Sequence, residues 1–129
     1  MNQYGEEGLC LIWAVNNALQ KNIVTKERIF AEFSRINHDN TRRKAPYYIG
    51  KDGLNFKTFK SVLQKSYGIR LRRMKKYKMK GAYLLTYDFG SYYHTVALVD
   101  GEILDSRKEK EITSLDTTKR LVDIYKVVR

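Results

Sequence analysis

The hydrophobic period of this chain changes once, near Gly68, and that change limits the folds open to it. Before it, apolar residues recur every three or four positions; after it they alternate or cluster in short runs, the spacing of strands. Leu9, Ile12, Trp13, Val15 and Leu19 predict a helix from Cys10 to Gln20 that is apolar on most of its surface and therefore central. Thr25 is placed to cap a second, peripheral helix in which Ile29, Phe30, Phe33 and Ile36 form one stripe. Phe56, Phe59, Val62 and Leu63 space a third, stopped by Gly68. The polar, basic stretch from Asn37 to Gly53 reads as a long loop that could border a groove. Strands are predicted at Ile69 to Arg72, Ala82 to Tyr87, His94 to Val99, Glu102 to Asp105 and Val122 to Val128. Helices followed by strands make an α+β domain, with N-terminal helices packed on a C-terminal antiparallel sheet.

A length of 129 residues suits one domain, 1–129, rather than two with separate cores. Hydrophobic residues at 43% supply a packed core and set the chain apart from disordered sequences. The single cysteine precludes an internal disulfide and no charged-then-apolar leader opens the sequence, so a reducing, intracellular, cytoplasmic setting is expected. A net charge of +11 makes nucleic acid, acidic protein surfaces or anionic lipid the candidate partners, and charge alone does not choose among them. The apolar runs fall far short of the ~20 residues that span a bilayer, and no membrane partner is assigned. His38 has no second Cys or His at ligand spacing, so neither a metal nor a cofactor is expected.

Asp100-Gly101 between two apolar runs signals a two-residue hairpin. It sets Val99 opposite Glu102, Leu98 opposite Ile103, Ala97 opposite Leu104 and Val96 opposite Asp105. Strand side chains alternate, so His94, Val96 and Leu98 share a face, and Asp105 lies on that face diagonal to His94. An imidazole held by a carboxylate is the base-and-orienter half of a nucleophilic triad. Cys10, in the first turn of a helix, is the candidate nucleophile, because unpaired N–H groups and the helix dipole there favour a thiolate. Taken alone, a cysteine on an apolar helix is more often a core residue; the order Cys10, His94, Asp105 reverses that weighting. Asn16 and Asn17 in mid-helix cost propensity and suggest a hydrogen-bonding task such as pinning a neighbouring loop.

"GLCLIWAVNNALQ", Gly8 to Gln20, resembles the opening of the Josephin domain, the papain-like deubiquitinase module in which Gly, Leu and the nucleophilic Cys begin a helix that continues to two Asn and then Leu-Gln. Cys10, Asn16, Asn17, Leu19 and Gln20 keep that spacing. "KDGLNFKTFKSVLQKSYGIRL" and "YYHTVALVDGEILDS" extend the resemblance over the third helix and the histidine-bearing hairpin. The resemblance implies a papain-like fold and a cysteine peptidase in which Cys10 attacks, His94 is base and then acid, and Asp105, standing where the family has Asn, orients His94. It implies that Gln3 shares the oxyanion hole with the Cys10 N–H. Trp13, Tyr92 and Tyr93, near Cys10 and His94 in sequence, are the substrate-binding candidates. The implied partner is a protein or peptide, ubiquitin or a polyprotein. The chain departs from the family at Gln3, which lies seven residues before Cys10, and in the Asn37 to Gly53 loop, which is shorter than the family's helical hairpin.

Two rival readings remain open at this level. A viral or phage leader-type peptidase that processes a polyprotein is similar around Cys10 and equally compact. A non-catalytic nucleic-acid-binding module would use "RLRRMKKYKMK", Arg70 to Lys80, with Arg72, Arg73, Lys75 and Lys76 as phosphate contacts, together with "TRRK", Thr41 to Lys44. The same run also suits a sheet edge guarded by lysines against edge pairing.

Overall fold

Three helices precede five strands in the computed structural model, which describes residues 9–39, 56–88, 93–106 and 120–129, without the side chains of 36–39 and 120. The helices are α1 (Cys10–Leu19), α2 (Lys26–Asp39) and α3 (Phe56–Val62); a π-helical turn, Leu63–Tyr67, extends α3. The strands are β1 (Arg70–Met74), β2 (Ala82–Asp88), β3 (Tyr93–Val99), β4 (Glu102–Leu104) and β5 (Arg120–Val128). They form one antiparallel sheet in the order β1-β5-β2-β3-β4, so the last strand inserts between the first two. The architecture is α+β, as expected.

Local chemistry accounts for the element ends. The Thr25 hydroxyl accepts from the Arg28 N–H at 3.3 Å, the side-chain cap foreseen for α2. That helix runs on to Asp39, so Asn37, His38 and Asp39 belong to it rather than to the loop; the rest of the expected loop lies outside the described residues. Gly68, at φ 67°, ends the π-helical turn, and the Ile69 N–H closes back on the Leu63 carbonyl at 3.1 Å. Asn16 is fully buried and pins the chain after α1: its Oδ1 accepts from the N–H groups of Ile23 (3.1 Å) and Val24 (2.9 Å), and its Nδ2 donates to the Val24 carbonyl at 2.8 Å.

Apolar burial divides between the two faces of the sheet. On one face Val15, Ile29, Phe33, Phe59 and Leu63 of the helical layer pack against Leu84, Ala97, Leu104 and Val127. On the other, Tyr83, Leu85, Tyr87, Val96, Leu98 and Ile103 form a second cluster, bordered by Met74, Tyr77, Leu121 and Ile124. Coverage of both faces explains why "AYLLTY" is apolar at every position but Thr86 instead of alternating. Each large side chain buried this way contributes roughly 1.5–3 kcal/mol.

The β3–β4 hairpin is held by its turn. Asp100 (φ 48°) and Gly101 (φ 84°) both take the left-handed conformation that a two-residue turn requires. The Asp100 carboxylate accepts from the Gly81 N–H at 2.9 Å, and the Asp100 N–H donates to the Gly81 carbonyl at 3.0 Å, tying the turn to the start of β2. Val99 stands opposite Glu102, Leu98 opposite Ile103 and Ala97 opposite Leu104, the register read from the sequence.

Candidate active site

His94 is the second residue of β3, and Asp105 immediately follows β4. Counting from the turn brings the two together, and His94 Nε2 lies 2.7 Å from Asp105 Oδ1. An ionised carboxylate can only accept, so in this contact Nε2–H donates. The pair is almost entirely out of water, with His94 3% and Asp105 0% exposed. Such burial is tolerated only when each group satisfies the other.

Burial works against a charged His94, yet hydrogen bonds to Asp105 and Cys10, reinforced by the charges of the same two groups, outweigh it and hold the ring up at about 9 instead of 6.5. Cys10 therefore belongs to the electrostatic surroundings of His94, although the two come from opposite ends of the chain. By strand alternation His94 shares the face of Val96 and Leu98, whereas Cys10 opens the helix on the other side of the sheet. Their interaction places the meeting point at the end of the sheet where β3 begins.

The setting of Cys10 is itself unusual for a helix start. Leu9 occupies the capping position, where Ser, Thr, Asp or Asn would satisfy an N–H of the first turn; no side chain among the described residues caps α1, and its first turn holds no acidic residue. Relative to a good cap this forgoes about 1 kcal/mol. It leaves the partial positive charge of the helix start beside a thiol that is only partly buried. The contrast with the capped start of α2 is a local rule broken where the candidate nucleophile sits.

The remaining candidates scatter. Trp13, one turn beyond Cys10, packs against the helical core cluster, and its indole Nε1 is buried with no hydrogen-bond partner among the described residues. Tyr93, next to His94, is 53% exposed and so open to a ligand. Gln3 and Tyr92 lie outside the described residues, as do Thr41 to Lys44. The basic set splits. Arg72, Lys75 and Lys76 are exposed, but Arg73 pairs with Asp123 at 3.0 Å on the helix-bearing side of the sheet. Arg70, which opens the predicted basic run, and Lys126, which lies outside it, share the face of Arg72; alternation along β1 is the signal that groups Arg70 with Arg72. Among the described residues no group of three or more His, Cys, Asp or Glu could hold a metal ion, and no helix is long and apolar enough to cross a membrane.

No protein-family model matches the chain, and comparison with curated proteins finds no relative.

Proposed function

We propose that this chain is a papain-like cysteine peptidase of Josephin type that hydrolyses a peptide or isopeptide bond, with a ubiquitin-like chain end as the substrate class. One observation carries the reading: the buried 2.7 Å contact between His94 and Asp105, in a ring whose ionisation also responds to Cys10 at the start of α1. A helix bearing the nucleophile against a sheet bearing base and orienter also fits the papain-like division of labour. A free thiol as nucleophile suits a reducing, intracellular setting.

Asp105 engages Nε2, so Nδ1 is the atom through which the ring would exchange a proton with Cys10. With the ring held up at about 9, His94 already carries its Nδ1 proton at neutral pH, and the sulfur beside it attacks the carbonyl carbon. The negative oxygen that forms is met by the Cys10 backbone N–H at the helix start, and the resemblance implies the Gln3 amide as the second donor. Collapse breaks the C–N bond while His94 returns its proton to the leaving amine. His94 then takes a proton from water as the water oxygen attacks the thioester, and returns it to the sulfur as the C–S bond breaks, releasing the acid and the Cys10 thiol. Positioned proton transfer of this kind contributes ~10²–10⁴ in rate, and one oxyanion donor ~10²–10³.

The test is labelling with a ubiquitin bearing a thiol-reactive C-terminus, alongside an epoxide inhibitor of cysteine peptidases. Cys10 should be modified, and Cys10→Ala should abolish both labelling and turnover. A Cys10 inert to both reagents, with His94→Ala as active as the wild type on peptide substrates, would refute the enzyme. Modification by the epoxide alone would retain the peptidase and remove ubiquitin as substrate, in favour of polyprotein processing.

A further inference from the structure

Away from the catalytic end, the sheet carries a charge pattern that peptide hydrolysis does not use. β1 is an edge strand, and alternation separates its cations: Leu71 and Arg73 point to the helix side, Arg70, Arg72 and Met74 to the opposite face. On that opposite face Arg72 stands directly across from Lys126 of β5, and both are exposed. Neither they nor Arg70 has an acidic partner among the described residues. Like charges directly opposite each other in an antiparallel pair destabilise it. A sheet that keeps such a pair with no counter-ion among the described residues offers it to an anion from outside.

The shape of the face indicates which anion. Arg70 and Arg72 are two residues apart, about 7 Å along the strand, comparable with the phosphate step of an extended single strand. Their guanidinium forks suit phosphate oxygens in a bidentate way that lysine does not. Beside them the half-buried Met74, Tyr77 and Ile124 give an apolar shoulder with an aromatic ring, on which unpaired bases can rest while their phosphates meet the cations. An acidic polypeptide would match the charge and leave that shoulder unused. We propose that the β1/β5 face binds single-stranded nucleic acid, with Arg70, Arg72 and Lys126 on the phosphates and Tyr77 against a base. This surface stands independently of the peptidase reading.

Fluorescence anisotropy of a labelled oligothymidylate, titrated with the full chain at several salt concentrations, decides the matter. Binding should weaken as salt rises. Arg70→Glu/Arg72→Glu/Lys126→Glu should lower affinity at least tenfold and flatten the log–log salt slope by about 0.7 for each phosphate no longer neutralised. An equal charge reversal elsewhere, at the exposed Lys21, Lys57 and Lys65, should leave affinity within about twofold. Arg72→Glu alone creates an opposite-charge pair with Lys126, so it should raise Tm while weakening binding, which separates lost affinity from lost folding. Equal losses in the two triple variants would overturn the proposal, since net charge alone would then account for binding. Displacement of the oligonucleotide by polyglutamate at matched charge would also overturn it, in favour of an acidic polypeptide.

Discussion

At the β4 edge of the sheet a histidine and a carboxylate are buried against each other, whereas at the β1 edge two arginines and a lysine stand in water with no acidic neighbour among the described residues. The difference is one of solvent. Removing an ion from water costs several kcal/mol, so His94 and Asp105 must satisfy each other, and the geometry of that satisfaction is fixed to a fraction of an ångström. Exposed cations a few ångströms apart repel by only about 1 kcal/mol, so the β1 edge can hold them unneutralised and leave their geometry loose. A buried pair is suited to directing a proton; an exposed set of like charges is suited to attracting a partner.

The sharpest way to break this contrast is to unpair the buried side. Asp105→Leu strands His94 without its carboxylate and should cost about 3–5 kcal/mol in urea unfolding at pH 7, with loss of the proposed hydrolysis. A cost below about 1 kcal/mol would show that the pair behaves like a surface one. Next in size is the pH dependence. The ring is raised from 6.5 in the unfolded chain to about 9 in the fold. Its stabilisation is therefore complete below pH 6.5 and disappears as the pH climbs through 9. Unfolding free energy should fall by on the order of 1–3 kcal/mol across that window, and Asp105→Leu should flatten the decline. On the exposed side, Arg72→Glu turns a like-charge pair into an opposite one and should stabilise by about 0.2–1 kcal/mol, an effect that fades with salt. Smallest is Arg73→Gln, which removes an exposed ion pair to Asp123 and should shift stability by no more than about 0.5 kcal/mol. Thermal unfolding in low and high salt resolves the last two.

The hairpin was legible because Asp100-Gly101 admits essentially one turn geometry, and strand alternation carries its register to His94 and Asp105 without tertiary information. The helices were legible from their stripes, and the Thr25 cap and Asn16 clip from side-chain chemistry. The place of β5 between β1 and β2 was not, since no local pattern in "VDIYKVV" records which distant strands it joins. Neither was the separation of Arg73 from Arg72: counting cations along a run treats neighbours as allies, whereas the strand sends them to opposite faces. The π-helical widening after Val62 has no signature in "LQKSYG" beyond the glycine that ends it.

The chain order of the site has a temporal side. His94 and Asp105 are joined by a tight hairpin, a contact that closes quickly once that segment exists, but Cys10 lies near the other end of the sequence and depends on long-range packing of α1 against β3. During synthesis at ~5–20 residues per second, Cys10 leaves the ribosome seconds before its partners are made. Through that interval its thiol lacks the imidazole that would activate it. A nascent or truncated chain would thus carry the proposed nucleophile without its activating partner, and the proposed activity would switch on only with a folded domain.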